Sequence, residues 1–403
     1  HAAWGQDAID EVSKLNRQVE AFRGQGRIAE ALPLAERASA LLRQTLGPEH
    51  VEVATSLSSL GSLYLEAGQY AKAEPLLQEA LSIRRQALGN THPDVAACLL
   101  NLGVLYLSSH RYEQARASFR EALGVTETLE GGSHPLHAAA LNNLALLHQT
   151  LGEYPQAEPL YERALEIRRQ ALGESHPDFC ASLSNLALFY QLTGQFDKAQ
   201  RLFARAAETT RNVSGATTRQ YAGSLTNLAG LYHSMGQYVR AKGLYGEALA
   251  IYREAHLEES TLCANVTNNL GLVCQALDES AEAERLLQQA ADTRKRLLGE
   301  NHPDYAVSLN NLAWLYEATG QYAKSEPLYR QALSLRKAAA GESSPDYATT
   351  LHNLARLYQA RANYSASEPL YLQALDLRRR VLGESHPDYA TSLSDLAGFY
   401  AAK

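Results

Sequence analysis

Histidine and cysteine are the residues of this chain best suited to metal binding, proton transfer or nucleophilic attack, and their spacing argues against all three. His50, His92, His134, His176, His302 and His386 fall at multiples of 42 residues. Zinc draws its ligands to about 2 Å from one ion, whereas residues repeated once per unit of packed helices stand about 8–10 Å apart. The column is expected to mark turns, since five of the six histidines precede a proline, a residue suited to the first position of a helix. Cys98, Cys180, Cys263 and Cys274 form no Cys-x-x-Cys and lie too far apart along helical segments to be bridged, so buried, unbridged thiols are expected. No cysteine has a recognisable partner motif, and the glycines are spaced as helix punctuation rather than as a phosphate-binding loop. The expectation is a chain with no catalytic centre, no metal and no cofactor.

A second column invites binding rather than catalysis. Asn101, Asn143, Asn185, Asn227, Asn269, Asn311 and Asn353 occupy one position in seven consecutive repeats, although alanine suits a helix interior better. Three residues on, the same face reads Val104, Leu146, Leu188, Gly230, Leu272, Trp314 and Arg356. Apolar side chains flanked by amides describe a surface that grips an extended peptide or an amphipathic helix, and Trp314 offers a large apolar area with a polar edge. Gly223 and Gly230 stand where other copies carry Ala181 or Val307 and Leu188 or Leu272. A mid-helix glycine costs about 1 kcal/mol relative to alanine, so the pair is read as a notch in the stripe for one bulky side chain of a partner. The competing reading is that the amides bond one another or the adjacent helix, and that some of the apolar residues pack between first helices.

These columns need regular helices to hold them in register. The stretch HPDYAVSLNNLAWLYEATGQYAKSEPLYRQALSLRKAAAGES, from His302 to Ser343, returns every 42 residues, and its glycine column is interrupted only at Leu257. A fixed period of this size marks an array of supersecondary units. Leu309, Leu312, Ala313 and Tyr316 recur at helical spacing and predict a helix over about 303–319; Ser325, Leu328, Tyr329, Ala332 and Leu335 predict a second over about 322–339. Ser175, Ser343 and Ser385, three residues before Asp178, Asp346 and Asp388, predict a capping box at the entry to the first helix. Arg84-Arg85, Arg168-Arg169, Arg336-Lys337 and Arg378-Arg379-Arg380 close second helices, where cations favour the helix dipole. A basic ribbon for an acidic partner is the other reading.

The pattern Leu309-x-x-Leu312-Ala313-x-x-Tyr316, followed by Ser325 (alanine in most copies, such as Ala73 and Ala157) and Tyr329, resembles the tetratricopeptide repeat. The 42-residue period, with HPD, NNLA and LG at the joints, is similar to the kinesin light chain type, which is also common in bacterial multidomain proteins. The resemblance covers almost the whole chain. It implies an all-α, right-handed superhelical solenoid of helix-turn-helix repeats whose concave groove binds a peptide, the column asparagines hydrogen-bonding the bound backbone. That role carries over to the seven asparagines, only weakly to Asp395, and not to Ser59 or Arg17, which hold the position at the start of the array. Kinesin light chains hold acidic cargo peptides with basic groove residues. Here the first helices from 93 to 319 carry almost no Lys or Arg, Arg219 being the exception, so a neutral groove is expected.

Of the 403 residues 45% are hydrophobic and 20% charged, and the net charge of −7 argues against a nucleic-acid partner, which needs a basic face. No apolar run approaches the roughly 18 residues of a membrane span, and no signal-peptide pattern opens the chain, so a cytoplasmic protein without membrane partners is expected. Length alone suggests two or three globular domains, but a repeat of this kind predicts one solenoid. Residues 1–6 are read as a leader and 7–403 as nine helix pairs plus one terminal helix, 387–402. The joints at 211–222 and 254–264 lose His-Pro and are expected to be the hinge. A start at His1 rather than Met and an unpaired last helix suggest a piece of a longer protein. The expected function is a non-catalytic scaffold that binds another polypeptide or another domain of the same chain. The alternative is a sensor or regulatory segment of a larger bacterial effector carrying a caspase-like protease or nucleotide-binding domain.

Overall fold

A computed structural model describes residues 2–403, the side chains of 2–7 and 130 excepted, and among the described residues there are nineteen α-helices and no strand. In chain order they are α1 (Ala2–Gly24), α2 (Ile28–Leu46), α3 (Val51–Glu66), α4 (Tyr70–Leu88), α5 (Pro93–Ser108), α6 (Tyr112–Glu127), α7 (Pro135–Thr150), α8 (Tyr154–Leu172), α9 (Pro177–Leu192), α10 (Phe196–Ser214), α11 (Arg219–Ser234), α12 (Tyr238–Glu254), α13 (Thr261–Ala276), α14 (Ser280–Leu298), α15 (Pro303–Ala318), α16 (Tyr322–Ala340), α17 (Pro345–Ala360), α18 (Tyr364–Leu382) and α19 (Pro387–Ala402). Odd numbers are the first helices of the repeats and even numbers the second. Residues 2–6 of the expected leader continue α1, and residue 1 lies outside the described residues. Contacts divide the chain into two units, one reaching to His148 and resuming with Tyr154–Ser224, the other comprising Gln149–Glu153 and Leu225–Lys403. Within the first unit α3 packs on α4 and also touches α5; within the second α13 packs on α14 and also touches α15.

Each second helix turns a small residue and a large one inward. Ala73 and Leu77, Ala115 and Phe119, Ala283 and Leu287, and Ser325 and Tyr329 are all fully buried, and the Ser325 hydroxyl donates to the Ala313 carbonyl at 2.7 Å. Opposite Leu77, Phe119 and Leu287 the first helix carries Gly61, Gly103 and Gly271. A Cβ at these glycines would come within 2.8, 2.2 and 2.9 Å of those side chains. The two helices of these repeats therefore approach more closely than alanine permits.

The first helices are capped one residue later than the capping box predicts. His50, His92, His176, His302 and His386 are the N-caps, each accepting through Nδ1 the N–H two residues on, as from Asp94 at 3.2 Å and Asp304 at 3.1 Å. A proline at the first helical position has no N–H of its own to satisfy, and the longer imidazole reaches past it. Ser260 and Ser344 take over where the histidine is missing, accepting from Cys263 at 3.2 Å and Tyr347 at 3.0 Å. Gly47, Gly89, Gly173, Gly299, Gly341 and Gly383 end second helices with φ between +78° and +90°, a conformation that glycine adopts without steric cost. At the Leu257 interruption the left-handed residue is His256, φ +55°, and α12 stops early at Glu254. A further irregular joint escapes the sequence reading: α6 also stops early, at Glu127, and a single 3₁₀ turn, Glu130–Gly132, follows. Its Gly131 stays in column, which hides the change.

The arginine pairs do not form a ribbon. Arg84, Arg336 and Arg378, with Arg294 in the same column, are 6–8% exposed. Arg294 donates to the Asp304 carbonyl, to Ser308 Oγ and to Asn265 Oδ1, tying α14 to both α15 and α13. Arg378 repeats this with the Asp388 carbonyl, Ser392 Oγ and Thr349 Oγ1. The second arginine of a pair faces outward onto a carboxylate, as in Arg85 with Glu121 and Arg379 with Glu384. Side chains one residue apart lie on different faces of a helix, so a pair of cations has two different tasks.

Candidate functional site

The asparagine column is half-buried throughout: Asn101, Asn143 and Asn185 on α5, α7 and α9 in the first unit, and Asn269, Asn311 and Asn353 on α13, α15 and α17 in the second. Asn227 on α11 is also half-buried. Three of these amides are tied to the preceding first helix. Asn185 Nδ2 donates to Asn142 Oδ1 at 2.8 Å, Asn311 to Asn268 at 3.1 Å and Asn353 to Asn310 at 3.1 Å. Each rung joins a column residue to the residue preceding the column one repeat earlier. Asn269 accepts from Asn268 Nδ2 at 3.3 Å and hydrogen-bonds the buried Tyr245 hydroxyl. The last rung is ionisable: His352 Nε2 and Asp395 Oδ2 stand 3.1 Å apart. A carboxamide has two N–H donors and an oxygen with two acceptor sites, so one such bond holds it in place without exhausting it. Asn142, Asn268 and Asn310 were not singled out from the sequence, although the doubled asparagines at 142–143, 268–269 and 310–311 were the available signal.

Three residues on, the stripe divides by exposure. Leu146, Leu188 and Trp314 are 38%, 42% and 41% exposed. Val104 and Leu272 are half-buried, and Leu272 packs against the cluster around Cys274 and Leu287. A Cβ at Gly223 would meet nothing within 4 Å, and one at Gly230 would meet only the Tyr245 hydroxyl at 3.5 Å. Arg356 is spent on Glu317, its Nε and Nη2 donating at 2.8 and 3.1 Å. Glu317 also accepts the Tyr329 hydroxyl at 2.9 Å.

Beside Arg356 a cleft of about 570 Å³ opens between α17, α18 and α19, lined among others by Gln359, Tyr364, Tyr371, Asp395 and Gly398. Burial, reinforced by Arg378, pushes His352 below the ordinary histidine value, while Asp395 pulls it the other way. Among the described residues no group of three or more His, Cys, Asp or Glu is placed to hold a metal ion, and no helix is long and apolar enough to cross a membrane. The four cysteines are unbridged, Cys180 half-buried and the others buried.

Six stretches, the overlapping 10–86, 66–128, 109–170, 136–187 and 178–254 and the separate 262–338, match a tetratricopeptide repeat family model, and 348–388 match a second one. The chain belongs to the tetratricopeptide repeat family. Among solved structures, a Rap protein complexed with Competence and Sporulation Factor shares the fold with a TM-score of 0.55 at 15% identity, over 87% of this chain and 98% of that one. The apo form of the quorum sensor NprR from B. thuringiensis does so with 0.52 at 16% identity, over 92% and 99%. Kinesin light chain-like repeats are also similar, including BtubC (BKLC) from P. vanneervenii, with a TM-score of 0.45 at 26% identity over 60% of this chain and 93% of that one. None of the curated proteins matches the chain significantly. Tetratricopeptide arrays are scaffolds for protein interaction, and an exposed apolar stripe on the first helices fits that class.

Proposed function

We propose that this array is a non-catalytic, cytoplasmic scaffold that binds a segment of a protein, from another chain or its own, along the groove face of its first helices. The observation that carries the reading is the exposure of Leu146, Leu188 and Trp314, the last two beside Asn185 and Asn311, which rungs fix to the preceding first helix. Apolar anchors in a setting of immobilised hydrogen-bonding groups bind at low entropic cost. The same fold accommodates a bound factor in the Rap complex. The ligand is not acidic: helices α5 to α19 contribute seven carboxylates on first helices against two guanidinium groups, Arg219 and Arg356, and both of these are hydrogen-bonded within the fold. The net charge of −7 disfavours nucleic acid in the same way.

Panning a displayed random-peptide library on the whole chain tests this. Peptides enriched on the parent should lose about tenfold or more in affinity on Leu188→Asp, on Trp314→Asp, or on Asn143→Ala combined with Asn185→Ala, with circular dichroism unchanged. Peptides that bind all these variants as well as the parent would place recognition elsewhere.

A further inference from the structure

We propose that the cleft between α17, α18 and α19 receives a basic side chain, lysine or arginine, of the bound polypeptide. The inference rests on the first-helix face being a binding groove, and it assigns the chemistry of one subsite in it.

The cleft exists because a side chain is missing. The position held by Leu146, Leu188, Trp314 and Arg356 in earlier repeats is Gly398 on α19, where a Cβ would meet nothing within 4 Å. Two tyrosine rings in its lining are held rigidly. Tyr371 packs on Phe399 at 5.6 Å and edge-on to His352 at 5.3 Å, and its hydroxyl donates to Gln359 Oε1 at 2.8 Å. Tyr364 packs edge-on to Phe399 at 5.8 Å. Tyr371 is only 3% exposed and backs the cleft, so the half-buried Tyr364 supplies the aromatic surface that attracts a cation, and the small residues Ala360, Gly398 and Ala402 leave room for a long aliphatic stem.

The charges point the same way. Arg356, the cation in the lining, is neutralised by the nine-tenths buried side chain of Glu317. Asp395 lines the cleft with a side chain 44% exposed and commits Oδ2 to His352. Behind His352, Arg378 is buried and engaged with the Asp388 carbonyl, Ser392 and Thr349. Asp395 is thus the exposed carboxylate of the lining, while Arg378, with which it interacts, stays buried behind His352. An acidic side chain would meet that carboxylate directly; a cation gains both the carboxylate and the Tyr364 ring.

N-acetylarginine amide, titrated into the whole chain and followed through the backbone amide resonances of Asp395 and Gly398, is the direct probe. Arginine and lysine amides should give saturable shifts. The glutamate and leucine amides should bind about tenfold more weakly or less. Gly398→Leu should abolish the shifts by filling the space, and it should not unfold α19, since leucine is the better helix former. Asp395→Asn should weaken arginine amide about tenfold while keeping a rung of the amide kind. No saturable shift with arginine amide, equal binding of the glutamate or leucine amide, or undiminished binding in both variants would overturn the proposal. Leu188→Asp, which disables the groove reading, lies five repeats earlier in the sequence and should leave these shifts unchanged, so the two readings fail separately.

Discussion

The α14–α15, α16–α17 and α18–α19 joints and the α10–α11 and α12–α13 joints come from one repeat but are held together differently. At the former a buried arginine crosses the joint: Arg294 and Arg378 bond neutral oxygens on two first helices from the second helix between them, and Arg336 bonds the Asp346 carbonyl and Thr350 on α17. At the latter the same column holds Thr210 and Tyr252. Thr210 reaches Ser224 Oγ at 3.1 Å and also bonds the Ala206 carbonyl of its own helix and the Cys180 thiol, while Tyr252 is 2% exposed and carries no guanidinium into the joint. Burial pushes Arg294, Arg336 and Arg378 below the ordinary arginine value, partly offset by Asp304, Asp346 and Asp388 in turn. A guanidinium kept under that penalty is retained for the hydrogen bonds it makes across the joint. Joints without one rely on packing and a serine or threonine cap.

The largest expected effect separates the two kinds of joint directly. Arg294→Met removes the guanidinium from the Asp304 carbonyl, Ser308 Oγ and Asn265 Oδ1 and should destabilise the second unit by about 2–4 kcal/mol, against about 1 kcal/mol or less for Thr210→Val in the first. Urea unfolding would measure both, and equal losses would break the comparison. Packing offers the next contrast. Gly103→Ala drives a methyl into the Phe119 ring and should cost about 1–3 kcal/mol. Gly223→Ala, in the open space of α11, should stabilise by up to about 1 kcal/mol. A loss at Gly223 would show that α11 is as tightly seated as α5.

Hydrogen exchange should sharpen the same division without mutation. Amides at 211–222 and 254–264 should open with a free energy lower by about 1–2 kcal/mol than those at 299–306 and 383–390, where clamp, histidine cap and glycine coincide. Uniform protection along the chain would mean that the clamp contributes nothing local.

Acid should act mildly on both regions. Burial holds His352 below the ordinary 6.5, with Arg378 and Arg356 acting in the same direction and Asp395 and Glu317 against it. Burial also lowers His137, which bonds Thr126 at the unclamped α6–α7 joint. The unfolded chain takes up these protons near pH 6.5 and the folded protein only at lower pH, so stability is at its full value above 6.5 and declines as the pH falls through that range. Melting temperature recorded from pH 7.5 to 5.5 should drop, and His352→Asn should reduce the drop. An unchanged slope in that variant would remove His352 from the account.

Much of this was legible along the chain, and for a physical reason. Periodicity reports which residues share a helix face, so the 42-residue period, the helix pairs and the columns of Asn101 to Asn353 followed from spacing alone. Spacing is silent on what a face meets. Ser175 and His176 are equally placed beside a helix start, and only the reach of an imidazole past Pro177 gave the cap to the histidine. Arg378 and Arg379 read alike, yet one turns into the α18–α19 joint and the other to solvent. The column asparagines were readable as amides on one face, while their partners, 43 residues earlier for Asn185, Asn311 and Asn353, depend on how far one repeat is rotated against the next. The cleft at Gly398 likewise needed the positions of Arg356 and Tyr371 on two other helices. The sequence by itself determined the helices and the faces they present. The tertiary structure decided which side chains close across a joint, because that choice turns on distances of a few ångströms between residues whose local patterns are identical.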